Sequence, residues 1–374
     1  MSGEMPEEWS RHRLGDLVEI ANDGISAGAI AELNAVAHYS LPAFDEGQSP
    51  EITAGLNIKS NKSLVPLNCV LFSKLNPRIP RVWRVAERSQ LPSVCSTEFW
   101  PLVARSDDVD LDFLTAFVGS EAFLGAPQIA PSSSTNSHQR VDRSSFENYI
   151  LALPPVDEQR RIAEVLRSVD KVIGLNRRTV DQAENALKAA RGQLTGLDGR
   201  ETGWAIKPIL DCFQLQRGHD LPVQSRNDGD VPVIASNGPV GFHDHAPVPA
   251  PAVITGRSGT IGKVTYFDGP CWPLNTTLFV RDFKDSDPRF VYHFLSAFPL
   301  SQHATGTGVP TLNRNDVHVV EVGWPKREEQ HCRAQVLDSL EANWLAEKIS
   351  AEACQTMKNK LASDLLSGSV RVFA

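Results

Sequence analysis

Residues 156–196 read VDEQRRIAEVLRSVDKVIGLNRRTVDQAENALKAARGQLTG. Leu166, Ile173, Val180, Leu187 and Leu194 recur at seven-residue intervals, and Ile162, Val169, Asn176, Ala183 and Ala190 fill the companion positions. An apolar repeat of this kind, sustained over about five heptads, specifies a coiled-coil helix. Pro155 stands just before the segment and Gly196 closes it, which suits the two ends of a helix. Asn176 on the seam is the kind of polar residue that sets register.

A second segment, residues 327–366, carries a looser version of the seam in Leu337, Leu340, Trp344, Ala351, Cys354, Leu361 and Leu365, which Glu347 and Lys358 interrupt. Each helix is the other's natural partner. A globular segment lies between them, so they are expected to pair antiparallel.

The chain repeats itself. Each half opens on a Trp and a short amphipathic stretch, Trp9 to Asp16 and Trp204 to Asp211. Each passes through Gly/Pro-rich, strand-like sequence to a Ser/Thr/Gly-rich stretch, 132–140 and 305–314. A short apolar strand follows, then Pro and a Glu-Gln pair (Pro155, Glu158-Gln159; Pro325, Glu329-Gln330), then the long helix. The halves end alike, on Leu194-Thr195-Gly196 and Leu366-Ser367-Gly368. So many features in one order imply duplication. The expected fold class is α+β, with two similar domains separated by a long antiparallel coiled-coil helix pair.

The 374 residues, 41% hydrophobic and 22% charged, suffice for two ordinary domains with cores of their own. A net charge of -8 argues globally against a polyanion binder. Yet charge is sorted along the chain: residues 1–58 hold ten acidic and two basic side chains, whereas residues 59–88 hold seven basic ones and only Glu87. The six cysteines show no C-x-x-C spacing, so zinc-ribbon and redox motifs are excluded. Met1 to Ser10 is polar, and no apolar run approaches the roughly 20 residues of a membrane span. The expectation is a cytoplasmic chain with reduced thiols and no membrane partner.

No catalytic or metal site is expected. Gly256-Arg257-Ser258-Gly259-Thr260-Ile261-Gly262-Lys263 fails the phosphate-loop spacing, and strand-like sequence flanks it on both sides. His243-Asp244-His245 lacks a third ligand at useful spacing. Neither G-x-S-x-G nor H-E-x-x-H occurs.

The remaining polar residues suit nucleic-acid recognition. Arg and Asn pair bidentately with guanine and adenine edges, while Lys, Ser, Thr and backbone N–H groups hold phosphates. In the first half the candidates are Lys59, Lys62, Lys74, Asn76, Arg78, Arg81 and Arg84, several of them in a proline-stiffened loop, together with Ser134, Asn136, His138 and Arg140. Arg78, Arg81 and Arg84 are expected to contact DNA. In the second half they are Ser236, Asn237, Arg257, Ser258, Lys263, Asn275, Thr276, Thr307, Asn313 and Arg314. Each alone is ordinary loop material. Only their recurrence in both halves points to a binding face. A helix of about 40 residues spans about 60 Å, nearly two turns of B-DNA, which suits a molecular ruler.

The stretch Leu153-Pro154-Pro155-Val156-Asp157-Glu158-Gln159-Arg160-Arg161-Ile162 resembles the segment that opens the central helix of type I restriction-modification specificity subunits. Val231 to Gly238, Gly256 to Gly262 and Pro273 to Thr277 resemble segments of that family's target-recognition domains. The C-terminal copy departs, with one proline, an extra residue and Cys332-Arg333 in place of the usual Ile.

The resemblance implies target-recognition domains at 1–154 and 198–323, a central conserved helix at 155–197 and a C-terminal one at 324–374. It implies a non-catalytic subunit that reads a split, asymmetric site in double-stranded DNA. It further implies docking of two methyltransferase subunits and of restriction (motor-nuclease) subunits, with S-adenosylmethionine, ATP and Mg on those partners. From the residues alone, two other readings stay open: a coiled-coil scaffold that does not touch DNA, and a nucleotide-dependent enzyme.

Overall fold

The heptad segment forms one helix, Val156–Leu194, and the second segment another, Arg327–Leu366. The computed structural model describes residues 6–87, 89–129, 139–199, 203–306 and 310–372. The chain divides into two units, Met1–Leu175 with Glu352–Ala374, and Asn176–Ala351, so each unit holds part of each long helix.

In the first unit, a four-stranded antiparallel sheet runs in the order Val18–Ile20, Phe99–Ala104, Cys69–Ser73, Val82–Val85. Helix Leu111–Val118 and the start of the first long helix share its core, through Val70, Phe72, Leu102, Phe113, Leu114, Ile162 and Leu166. Burying side chains of this size is the main favourable term in holding the unit together. A five-stranded sheet lies beside it and contains one parallel pair, Val36–Tyr39 with Ser93–Cys95.

The second unit repeats this plan. Its sheet runs Gln214–Arg217, Thr277–Asp282, Ala252–Gly256, Val264–Phe267, and helix Pro288–Ala297 contributes Phe290, Val291 and Phe294 to the core. Its second sheet has three strands rather than five, but keeps a parallel pair, Val231–Ala235 with Trp272–Pro273.

The seam appears as the spacing predicts. In the first unit Ile162, Leu166 and Ile173 are buried and Val169 half-buried. Leu361 and Leu365 pack into the same core, so the end of the second long helix lies against the start of the first. In the second unit Leu187 and Leu337 are buried, while Asn176, Val180, Leu194, Leu340 and Trp344 are half-buried. There Arg333 donates to the Leu194 carbonyl at 3.2 Å, again an antiparallel pairing. Glu347 and Lys358, expected to interrupt the seam, are half-buried members of it. Lys358 is accommodated because its ammonium meets Asp170 at 2.5 Å.

The Glu-Gln pairs fasten each globular lobe to its helix. Trp9 donates its indole N–H to Glu158 at 3.1 Å, and Trp204 donates to Glu329 at 3.2 Å. Gln159 donates to the Pro154 carbonyl and accepts from the Asp110 amide, both at 2.8 Å. Gln330 does the same with Pro325 at 2.8 Å and Asp287 at 2.9 Å.

Each Glu also receives a guanidinium, from Arg371 in the first unit and from Arg333 in the second. Arg333 stands where the first copy has Ile162. Its guanidinium lies 4.7 Å from the Trp204 ring centroid, which accounts for the C-terminal copy's departure at that position. Gly196 and Gly368 end the helices at φ of +75 and +76. A Cβ at Gly196 would meet Trp204 at 2.5 Å, and one at Gly368 would meet Pro6 at 2.8 Å. Glycine is required at both places by conformation and by space.

Candidate nucleic-acid interface

In the first unit, residues 74–81 form the loop after the central strand Cys69–Ser73. The Lys74 amide donates to the Glu98 carbonyl at 3.0 Å, and the Val141 amide donates to the Lys74 carbonyl at 2.9 Å. The Asn76 amide donates to the Gln139 carbonyl at 2.8 Å, and Leu75 bridges Arg140. The structure thus brings together two candidate segments that lie some sixty residues apart in the chain. Asn76 has φ +50, a conformation Asn tolerates better than most residues. Ser134, Asn136 and His138 lie outside the described residues.

The second unit builds the same arrangement from different residues. The loop 257–263 joins Ala252–Gly256 to Val264–Phe267, so the glycines serve a turn between strands. The Arg257 and Ser258 amides donate to the Thr276 carbonyl, and the Leu312 amide donates to the Arg257 carbonyl at 2.7 Å. Ser258 bridges Thr311. Lys263 donates to the Asn237 carbonyl at 2.6 Å, which draws Ser236-Asn237 to the loop. Thr307 lies outside the described residues.

This register makes Lys74 the counterpart of Arg257, and Arg140 the counterpart of Thr311. It also sets the residue-level alignment of the two polar stretches. Asp142 and Asn313 are equivalent, each capping the short helix that follows (Arg143–Glu147 and Arg314–His318) with a side-chain oxygen. Arg314 therefore matches Arg143.

The individual candidates differ in availability. Lys59, Arg78, Lys263 and Arg314 are exposed, and Lys74 and Arg257 are half-exposed. Lys74 sits 5.9 Å from the Trp100 ring centroid. Arg140 is exposed but bonds bidentately to Glu98, at 2.9 and 2.7 Å. Lys62 donates to Ser60 at 2.6 Å, and burial lowers its pKa from the usual lysine value. The Asn275 side-chain amide donates to the Asp220 carboxylate.

Two expected DNA contacts prove to be tied into the fold. Arg81 binds Asp45 through two bonds of 2.7 Å. Arg84 donates to Asp112, the Cys69 and Val85 carbonyls and Asn68. Both guanidiniums are held by acids far away in sequence, and Arg84 serves as a bracket within the unit.

Sequence reasoning missed a cluster in the second unit. His293, Asp338 and Glu341 converge within 4.8 Å of one another. Arg191 donates to His293 Nδ1 at 3.2 Å, so Nε2 carries the proton toward Asp338 at 2.7 Å. Burial holds His293 below its usual pKa. Burial pushes the Asp338 carboxyl up, but bonds from Arg289 and His293 outweigh this and hold it below the usual range. Arg191 and Arg289 neutralise both carboxylates, so the cluster is an ion-pair network joining the helices of this unit. Adjacent Tyr292-His293 and the i, i+3 pair Asp338/Glu341 were the only local signals for it.

His243, weighed above as a metal ligand, is buried and accepts from the Asn227 amide at 3.1 Å.

A profile for the type I restriction modification DNA specificity domain matches residues 6–185 and 201–353. The chain belongs to that family. It is similar to a putative type I restriction enzyme MjaX specificity subunit of Methanocaldococcus jannaschii, 20% identical over 99% of this chain and 95% of the relative. The MjaVIII specificity subunit of the same organism is 22% identical over 62% of this chain and 64% of the relative.

Among solved structures, a chain from a study of complex assembly and conformational transition in the type I R-M system aligns with a TM-score of 0.66. Its identity is 16%, over 99% of this chain and all of that one. The type I restriction-modification S subunit from M. genitalium gives a TM-score of 0.60 at 13% identity, over 98% and 97%. These two share the fold.

As a type I specificity subunit, the chain has a non-catalytic role. Specificity subunits assemble with other restriction-modification subunits and bind DNA. Among the described residues, no helix is long and apolar enough to cross a membrane.

Proposed function

We propose that this specificity subunit reads a bipartite, asymmetric site in double-stranded DNA, one half with each unit, from the loops 74–81 and 257–263 and the segments zipped to them. One observation carries the reading. The two loops leave the equivalent strand of equivalent sheets and share two equivalent backbone bonds, at Lys74 and at Arg257, yet they carry different side chains. Equivalent scaffolds with different polar surfaces suit two different half-sites.

Two methyltransferase subunits dock on the conserved helices, and restriction subunits join them in the cytoplasm. S-adenosylmethionine, ATP and Mg belong to those partners, which also supply much of the phosphate clamping that a chain of net charge -8 lacks.

Arg78→Glu and Arg257→Glu, each tested in the assembled complex, are expected to weaken duplex binding. Each lost phosphate contact should flatten the slope of log affinity against log salt by about one. Unchanged affinity and slope for both variants across a salt series would remove these loops from the interface.

Insertion of a whole heptad at Asn176 in the first long helix, with a matching one at Ala351 in the second, preserves the seam. It is expected to lengthen the unread spacer while both half-sites stay the same. Methylation sequencing that returned the parental spacer from a folded, active complex would sink the ruler.

A further inference from the structure

We infer that each lobe is keyed by charge to its own long helix, so that exchanging the two lobes costs stability. The inference stands on geometry within each unit and not on DNA reading. It is read out by stability, so the two can fail separately.

The backbone bonds fix the equivalences. Asp110 and Asp287 both cap their helices and both donate their amides to the glutamine of the long helix. Two residues on, Asp112 therefore matches Arg289. Gln159 and Gln330 are equivalent, so eight residues on Arg167 matches Asp338. In the sheets Val70 pairs with Arg84 and Val253 with Tyr266, and these are the same strand positions.

Those three positions form a bracket from sheet through short helix to long helix, with opposite polarity in the two units. In the first, the Asp112 carboxylate sits between Arg84 at 3.0 Å and Arg167 at 2.5 Å. In the second, the Arg289 guanidinium sits between the Tyr266 ring, centroid at 4.3 Å, and Asp338, reached by Arg289 Nε at 2.9 Å. The middle charge is reversed, and both flanking residues change to suit it.

Other lobe-to-helix contacts are duplicated without reversal: Trp to Glu, Gln to the helix cap and the Pro carbonyl, Trp against the closing glycine. They hold a lobe without telling one helix from the other. The brackets do tell them apart. The first lobe on the second helix would set Asp112 against Asp338, and the second lobe on the first helix would set Arg289 against Arg167. Like charges at such distances repel, most where water is partly excluded. Arg167 is 62% exposed, so salt should soften the discrimination on its side.

The test is a full chain in which lobes 6–154 and 204–324 exchange places, made with the native helices and again with Arg167→Asp and Asp338→Arg. At low salt the second version is expected to melt several degrees above the first. Equal melting temperatures overturn the keying.

In the native order, Arg84→Tyr/Asp112→Arg/Arg167→Asp transplants the second bracket into the first unit. It is expected to regain most of the stability lost by Asp112→Arg alone. A triple variant no more stable than that single one overturns the proposal, whether or not the exchanged chains fold.

Discussion

Gln159→Leu is expected to remove about 3–5 kcal/mol of unfolding free energy, at about 1–3 kcal/mol for each buried polar group left unpaired. Gln159 has no exposed surface. Its Nε2 donates to the Asp108 and Pro154 carbonyls, and its Oε1 accepts from the Asp110 amide, each bond at 2.8 Å. Leucine fills nearly the same volume, so the packing term changes little. What changes is that two carbonyls and one amide lose their partner where water enters poorly. The damage should spread, because Asp110 caps the helix that presents Asp112 to Arg84 and Arg167.

Gln330→Leu breaks two such bonds, to Pro325 and Asp287, and is expected to cost less. Against a whole-domain stability of about 5–15 kcal/mol, the first loss is large. Urea unfolding of the purified chain measures it. A Gln159→Leu midpoint matching the parent would mean that the junction is hydrated, and the account of how the lobe grips its helix would fall.

The sequence made the long helices and the duplication legible, because both are written in local signals. A seven-residue apolar period needs no knowledge of a partner, and every seam position named for the first helix is buried or half-buried. Trp, Pro, Glu-Gln and Gly recur at matching places because each answers a steric or hydrogen-bonding need that the repeat imposes twice. Their purpose was not legible, since Trp9 meets Glu158 across 149 residues.

Separation along the chain also hid the partners of Arg81 and Arg84, since Asp45 and Asp112 reach them only in the fold. The polar stretches were found but their register was not legible, because hydrogen bonds set it and side-chain chemistry does not. The extra strands of the first unit's second sheet left no trace in the repeat, being short and without counterparts.

Gly256→Ala is expected to destabilise the second unit by about 2–3 kcal/mol, near the top of the usual range for overpacking. A Cβ at this position would lie 1.8 Å from the Thr260 carbonyl oxygen and 3.2 Å from Ser236 Cβ. The oxygen belongs to the backbone of the turn, so no side-chain rotation relieves the contact. The loop 257–263 would have to open, and with it the bonds from the Arg257 and Ser258 amides to Thr276 and from Leu312 to Arg257. Those bonds zip the loop to the polar segment beside it, so duplex affinity of the assembled complex should fall along with stability.

Gly269→Ala is the control. A Cβ there meets nothing within 4 Å, and stability should hold or rise slightly through a less flexible unfolded chain. If both variants melt together with the parent, the turn is not packed against the strand end, and the two loops lose the common scaffold on which the half-site reading depends.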